Sequence, residues 1–250
     1  MERGAKMKIL IGGPVRQSED IFREYLHSLR TLEIPNGCEI NKHFIFNDCD
    51  LSKWLQNGET YEIINTGDEY VCDETTHTWT EENLNKMSHL RNRMLEKTIQ
   101  GGYDYYFLVD SDLILKPKTL VHLINQKKDL IAELFWTEGS PGSGGCWPNA
   151  WEYDQCSTDK ETIRKWLTPG VHLCGGTGAC FLISNKVIKA GVDYTPIHNL
   201  RGLKGEDRWF CIRAVVHGFD IWLDNRYQPL HLYRRSIYEQ FVRSGLSGIT

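Results

Sequence analysis

Apolar positions along this chain fall into two alternating rhythms. Lys8-Ile9-Leu10-Ile11 is a short buried-strand pattern that stops at Gly12-Gly13-Pro14. Ser18 then precedes Ile21, Phe22, Tyr25, Leu26 and Leu29, which recur at helical spacing. Two more strands are predicted from His43 to Phe46, before Asn47-Asp48, and from Tyr61 to Ile64, before Gly67. Thr80 to Gln100 reads as a long amphipathic helix with an acidic start and a Gly101-Gly102 stop. Tyr105-Tyr106-Phe107-Leu108-Val109 is apolar without alternation, as a parallel strand covered on both faces would be, and it ends abruptly at Asp110-Ser111-Asp112.

Pro117 opens a further helix, Thr119 to Gln126, followed by a strand from Leu130 to Trp136. The stretch from Glu138 to Asp154 breaks the rhythm. Its glycines and prolines argue against regular structure, so it reads as a loop insertion spanning about 138–157. Beyond it, Gly175-Gly176-Thr177-Gly178 leads into the apolar run Ala179 to Ile183, then a helix from Glu206 to His217 and a strand from Asp220 to Leu223. Strand and helix in alternation predict one α/β domain with a mixed, mostly parallel central sheet flanked by helices, covering 1–233. Residues 234–250 follow as a basic C-terminal tail: from Arg226 onward four Arg face one Glu.

Composition narrows the function classes. The 250 residues carry 29 Lys+Arg against 33 Asp+Glu, a formal net charge of −4, which argues against nucleic acid as a partner. No apolar run approaches the ~20 residues of a membrane span. The charged Met1–Lys8 start does not resemble a secretory leader, and no C-x-x-C pair occurs among the eight Cys. Reduced thiols and a cytoplasmic location are the expectation. Four of the eight Trp lie between Trp136 and Trp166.

In an open α/β sheet, ligands bind beyond the carboxyl ends of the strands. Asp110 and Asp112 share such an end, and two carboxylates that close call for a compensating cation. Hard oxygen ligands suit Mg²⁺ or Mn²⁺, which take further ligands from a diphosphate. A phosphohydrolase of the haloacid dehalogenase type also places D-x-D after a strand, but there the motif lies near the chain start and continues with Thr, not Leu113 and Ile114.

Several motifs share an order with a known family. Arg91-Asn92 precedes Asp110-Ser111-Asp112, Gly205-Glu206-Asp207 leads Trp209, Phe210 and Arg213, and Leu230-His231-Leu232-Tyr233 closes the series. Together they resemble the nucleotide-sugar glycosyltransferases of GT-A (Rossmann-like) fold, especially family 2. Leu90-Arg91-Asn92, Trp151-Glu152-Tyr153-Asp154 and the Gly175–Gly178 run are also similar to the yeast Golgi mannan polymerase mannosyltransferases. The first strand departs from family 2 at Gly12-Gly13-Pro14-Val15-Arg16, and the second ends Asn47-Asp48-Cys49-Asp50.

The resemblance implies a metal-dependent glycosyltransferase of hexosyltransferase type. A sugar would pass from UDP or GDP to a hydroxyl of a carbohydrate, glycolipid or peptide. Asp110, Asp112 and His231 would hold Mn²⁺ or Mg²⁺. Pro14, Val15, Arg16, Asp48, Arg91, Asp110, Ser111 and Gly176 would bind the donor nucleotide. Asp207, with Glu206 beside it, would take the acceptor proton in a single inverting displacement. The mannosyltransferase resemblance implies retention instead. Trp147, Trp151 and Trp209 are placed to stack on an acceptor. Arg234 and Arg235 would fold over the diphosphate or touch an anionic membrane surface. A nucleotidyltransferase on the same scaffold and a catalytically silent carbohydrate-binding module stand as alternatives.

Overall fold

The computed structural model describes residues 6–67, 79–139, 145–152, 159–199 and 204–248. In chain order the elements are β1 (Met7–Val15), α1 (Glu19–Arg30), β2 (Cys38–Asn47), β3 (Glu59–Ile64), α2 (Glu81–Gln100), β4 (Tyr105–Leu108), β5 (Leu113–Ile114) and α3 (Thr119–Asn125). Then follow β6 (Leu130–Glu133), β7 (Trp136–Glu138), β8 (Cys146–Pro148), β9 (Ala150–Trp151), α4 (Lys160–Leu167), β10 (Val171–Cys174), β11 (Gly176–Thr177) and β12 (Phe181–Ser184). The last are α5 (Asn185–Lys189), α6 (Glu206–Val216), β13 (Ile221–Asp224), β14 (Leu230–His231) and α7 (Arg235–Arg243).

Eight strands form one sheet in the order β10-β13-β6-β12-β4-β1-β2-β3. β1 pairs in parallel with both β2 and β4, β2 with β3, and β13 with β6, whereas β10 and β12 run antiparallel to their neighbours. The mixed, mostly parallel sheet expected from the sequence is therefore present. Its pleat divides each apolar run between two cores. Leu10, Tyr106, Leu108, Ala132, Phe181 and Ile183 face a layer built from Leu90, Met94 and Leu95 of α2, Trp166 of α4 and Phe210 of α6. Ile9, Ile11, Phe107, Ile131 and Leu182 face the opposite layer, where Phe22, Tyr25 and Leu26 of α1 meet Leu120 and Leu123 of α3.

Three expectations are corrected. β1 does not stop at the Gly-Gly-Pro turn but continues to Val15, because β2 pairs with it along its whole length, Pro14 opposite Ile45. β4 lies alongside only as far as Gly12, so the absent Pro14 N–H breaks no ladder on that side. The single strand expected from Leu130 to Trp136 is two strands. Between them the Leu134 amide donates to the Asp224 carbonyl and the Phe135 amide to Asn149 Oδ1 at 2.9 Å, and this turns the chain off the sheet. The glycine- and proline-rich excursion also holds regular structure: β7 pairs with β8, and β9 with β11. Tyr153 and Asp154 of the Trp151–Asp154 motif lie outside the described residues.

The segment beyond Tyr233 is packed. Tyr238 and Phe241 of α7 join Leu232 and Ile21 in a third cluster, Arg235 pairs with Asp20, and the Gly248 amide donates to Glu24 at 3.0 Å. Among the described residues no disulfide forms, and no helix is long and apolar enough to cross a membrane.

Arg30 ties α1 to the sheet edge, donating to both carboxylate oxygens of Glu59 at 3.0 and 2.6 Å. Burial alone would raise the Glu59 carboxyl, but hydrogen bonds from Arg30 and the Gln56 amide, with the guanidinium charge, hold it below its ordinary value. A lowered folded-state value stabilises above the unfolded carboxyl range and is lost as pH falls through it. Glu59→Gln is therefore expected to cost about 1–3 kcal/mol at pH 7. The deficit against the parent should close as pH drops below about 4.5, followed by thermal melts across that range.

Candidate active site

The end of β4 delivers Asp110, Ser111 and Asp112 to the carboxyl edge of the sheet. The Leu113 amide returns to the Asp110 carbonyl at 3.1 Å, turning the chain into β5. β5 pairs antiparallel with β14, placing His231 opposite Leu113, and the Leu232 amide donates to the Asp112 carbonyl at 2.8 Å. This short ladder brings His231 Nε2 to 3.3 Å from Asp112 Oδ2 across 118 residues of intervening chain. The other ring nitrogen, Nδ1, lies 3.1 Å from Thr137 Oγ1 of β7, and the rings of Phe135 and Tyr233 flank the imidazole at 4.9 Å.

The second part of the site comes from two helices. α6 starts at Gly205, whose φ of 132° suits glycine, and carries Glu206 and Asp207 in its first turn. Opposite them, Arg91 of α2 is buried. Its guanidinium pairs with Asp207, reaches Asp110 at 3.4 Å and Glu206 at 3.5 Å, and lies 5.5 Å from the centre of the Tyr194 ring. Tyr194 in turn stacks on Phe210 at 4.5 Å.

Burial pushes the Asp207 carboxyl upward, and Glu206 and Asp110 add to the rise against the pull of Arg91. Burial likewise raises Asp110, where Arg91 opposes the effect and Asp112 and Glu206 reinforce it. Burial comes first in both, and a shared surplus of negative charge adds to it. Asp110, Asp112, Glu206 and Asp207 outnumber the positive charge among them, and the surplus is what a divalent cation would neutralise. The donor set of Asp110, Asp112 and His231, two carboxylates and an imidazole, fits such an ion in chemistry.

Asp207 is held from behind by an unusual backbone. A Cβ on Gly178 would stand 2.0 Å from Asp207 Oδ2. Asn149 pins Gly178 on both sides, its Nδ2 donating to the Gly178 carbonyl at 3.0 Å and its carbonyl accepting from the Gly178 amide at 3.2 Å. Ala179 and Cys180 follow with φ of 47° and 42°, left-handed values that non-glycine residues adopt at a cost.

The four carboxylates, Arg91 and His231 line one cleft of about 560 Å³. Of the residues singled out from the sequence, Pro14, Val15 and Arg16 line it from the end of β1. Arg91, Asp110, Ser111, Asp112, Glu206, Asp207 and His231 line it elsewhere. Arg234 and Arg235 also reach its wall, with Arg234 Nε donating to the Gly139 carbonyl at 3.2 Å.

Other residues stand apart. Asp48, at φ 52°, accepts from the Thr66 and Gly67 amides at 2.6 and 2.9 Å and pairs with Arg16 at 3.4 Å, so its carboxylate closes the β2 end. Gly176 packs against the Trp151 indole, where a Cβ would come within 2.3 Å. Trp151 and Trp209 are buried at 8% and 5% exposure, whereas Trp147 is half exposed on β8, opposite Thr137.

Sequence reasoning missed Trp79, which is 48% exposed and lines the cleft just before α2. It also missed Tyr194 and Asn149; an aromatic beside a helix start was the only signal for Trp79, and nothing local marked the other two. A further group went unremarked. Among the described residues, the only His, Cys, Asp or Glu groups in a set of three or more with ligand atoms all within 4.8 Å of one another are His122, Glu133 and Asp224.

Comparison with known proteins supplies a family. The model of the glycosyltransferase family 25 N-terminal domain matches residues 34–197, where the motifs had pointed to family 2. Procollagen-lysine,2-oxoglutarate 5-dioxygenase 1 of Bos taurus is 30% identical over 145 residues, 55% of this chain and 19% of that protein. Procollagen-lysine,2-oxoglutarate 5-dioxygenase 2 of Mus musculus is 24% identical over 229 residues, 88% of this chain and 29% of that protein. The chain thus spans less than a third of the length of these curated relatives. Among solved structures, S. aureus TarS 1-349, determined alone and in complex with UDP, superposes with a TM-score of 0.51 at 16% identity, covering 89% of this chain and 60% of TarS 1-349. The fold is that of GT-A glycosyltransferases.

Gly178→Ala tests the backing of Asp207. The backbone is pinned by Asn149, so the carboxylate must yield. The substitution should cost about 1–3 kcal/mol of stability at most. A displacement of about 1 Å should lower turnover on the order of 10²-fold. Melting temperature and rate measured on the same preparation separate the two effects.

Proposed function

The chain belongs to glycosyltransferase family 25 through its N-terminal domain, and we propose that it moves a sugar from a nucleoside-diphosphate sugar to an acceptor hydroxyl with a divalent metal in attendance. The observation that carries this reading is the convergence in one cleft of Asp110, Asp112 and His231 with Arg91, Glu206 and Asp207. A nucleotide-binding sheet end thus faces a carboxylate at a helix start. The catalytic domain so read runs over 1–233, followed by the basic segment 234–250, whose helix α7 packs on it through Tyr238 and Phe241.

Asp110, Asp112 and His231 would hold Mn²⁺ or Mg²⁺, which when bound supplies Lewis-acid neutralisation of the diphosphate oxygens. His231 is oriented for this task by Thr137 at its far nitrogen, in the manner of an outer partner to a metal-bound histidine. Pro14, Val15 and Arg16 form the floor for the base, with Trp79 able to stack on it. UDP is the favoured nucleotide, because the TarS structure of like fold binds it.

Asp207 is the proposed base. A carboxyl raised by burial is a stronger proton acceptor than a solvated one. It stands apart from the metal carboxylates, with Arg91 between them. An acceptor hydroxyl beside Asp207 would attack the anomeric carbon as its proton passes to the carboxylate and the diphosphate departs. A single displacement of this kind inverts configuration. Trp147, at the open edge of the β7–β8 hairpin, supports an acceptor subsite. The relatives named for procollagen lysine favour a peptide carrying a side-chain hydroxyl over a free sugar.

Asp207→Asn should lower transfer by about 10²–10⁴-fold while leaving UDP affinity within a few fold. Asp112→Asn should abolish the Mn²⁺-dependent part of UDP binding. Calorimetry with UDP and GDP, with and without Mn²⁺, together with transfer assays, checks both. Near-normal transfer in both variants would overturn the assignment. Pyrophosphate release from a nucleoside triphosphate would mark a nucleotidyltransferase instead, and binding of sugar without nucleotide a silent carbohydrate-binding module.

Trp147→Ala should raise the KM for acceptor with little change in UDP affinity, the pattern of a lost stacking surface. An unchanged acceptor KM would assign the indole to loop packing.

A further inference from the structure

Away from the cleft, β6 and β13 end side by side. They pair in parallel with Glu133 opposite Asp224, so both side chains leave the same face of the sheet, and both residues have zero exposure. His122 of α3 completes the group, its Nε2 2.8 Å from Asp224 Oδ2. One ligand atom from each of the three lies within 4.8 Å of the other two. None of the three lines the cleft.

Two carboxylates are buried here, and the partners around them compensate only one. Arg226 grips Asp224, its amide and Nε donating to Oδ1 at 2.9 and 3.0 Å and its Nη2 to Oδ2 at 2.5 Å. Among the described residues the Glu133 carboxylate receives one hydrogen bond, from the Tyr227 amide to Oε2 at 3.2 Å. Its Oε1 is buried with no hydrogen-bond partner among the described residues. An acceptor with an open lone pair, sealed from water beside an imidazole and a second carboxylate, is what a cation would fill. Arg226 approaches from a side chain that is 36% exposed, so it can keep Oδ1 while Oδ2 turns to an ion. The Tyr227 ring rests against His122 at 4.7 Å and fixes its plane.

We propose that His122, Glu133 and Asp224 form a second metal site, separate from the cleft, for a divalent transition ion of the Zn²⁺ class. The donors are those of the cleft, one imidazole nitrogen and two carboxylate oxygens, but no diphosphate can reach these buried groups to add the further oxygens that Mg²⁺ or Ca²⁺ takes, which favours Zn²⁺, Co²⁺ or Mn²⁺. The ion's work is structural. Two arms that meet at His231 start from this cluster. From Glu133 the chain runs through Leu134 and Phe135 to β7, whose Thr137 touches the imidazole, and from Asp224 it runs to β14, which carries His231 itself. An ion joining α3, β6 and β13 would fix the roots of both arms.

The test uses the full chain stripped with a chelator and titrated with Zn²⁺, then with Co²⁺ for its visible absorption. The Asp112→Asn background removes the ion of the cleft. Here the expected result is one Zn²⁺ per chain, a higher melting temperature on Zn²⁺ addition, and a Co²⁺ spectrum with nitrogen in the ligand field. Adding Glu133→Gln should lower Zn²⁺ affinity by about 100-fold or more, beyond the usual effect of losing an outer partner. It should also remove the melting shift while leaving the metal-free protein as stable as before, since an isosteric neutral amide relieves a buried carboxylate. His122→Gln, at the rim of the group, serves as the second variant and should lose the same affinity. The proposal is overturned if the folded Asp112→Asn protein binds neither ion, which would make the group an internal ion-pair network only. It is equally overturned if binding persists unchanged in both Glu133→Gln and His122→Gln.

Discussion

One buried guanidinium organises the cleft. Arg91 leaves α2 on the face that also carries Leu90, Met94 and Leu95 into the core, so its charge arrives where water does not. Three carboxylates from two other parts of the fold, Asp110 after β4 and Glu206 and Asp207 at the start of α6, close around it. Removing one partner from such a group leaves a buried charge uncompensated, an effect of about 3–5 kcal/mol. A lysine would not substitute. The planar fork of arginine is what lets one side chain address Asp207 through Nη1 while Nη2 meets Asp110 and Glu206. The same fork lies over the Tyr194 ring, and Tyr194 is stacked on Phe210 of α6. Position and charge compensation are thus one arrangement.

Arg91 does not bring the cluster to neutrality, and that shortfall connects the fold to the proposed chemistry. Asp112 lies beyond the guanidinium and meets His231 instead, through a two-residue ladder between β5 and β14. Strand-to-strand pairing is a rigid way to join distant sequence, because register fixes which side chains are neighbours. The other imidazole nitrogen is fixed by Thr137 of β7, which pairs with β8, which in turn carries Trp147. The hairpin that carries the proposed acceptor surface therefore also touches the proposed metal ligand, and the second metal site inferred above lies at its root.

The sequence was most legible where burial alone decides structure. The unbroken run Tyr105 to Val109 and the aspartates after it could be assigned because a strand covered on both faces needs no distant partner to be recognised. The helix α1 was legible through periodicity, and α2 through its amphipathic pattern and acidic start. Failures came where a remote polar group overrode local pattern. Leu130 to Trp136 is apolar but for Glu133 and reads as one strand, yet Asn149 and the Asp224 carbonyl capture two of its amides and divide it. Asp48 follows a strand as a nucleotide ligand should, but Thr66 and Gly67 claim its carboxylate. Trp151 and Trp209 were expected to stack on an acceptor, and nothing in the sequence said that both are buried. α4 escaped notice because it buries little beyond Trp166, with Asp159 capping its start through the Glu161 and Thr162 amides.

The backbone behind Asp207 shows why a glycine motif was visible while its purpose was not. In the Gly175–Gly178 run, glycine reads as permission for something to approach, and the natural candidate was a ligand. In the fold, the approaching groups belong to the protein: the Trp151 indole over Gly176 and the Asp207 carboxylate over Gly178. The first close approach seats a buried ring beneath Arg208 at 5.0 Å, and the second leaves room for a carboxylate whose partner is Arg91. Left-handed Ala179 and Cys180 then return the chain to β12 within two residues, so Gly178 remains next to Asp207 while Phe181 enters the sheet. The strain of those two residues is sustained by the Asn149 bonds on one side and the sheet on the other. Backbone cost, glycine placement and the position of the proposed base are consequently a single constraint. It is written in residues from 149 to 207 that no local pattern could have joined.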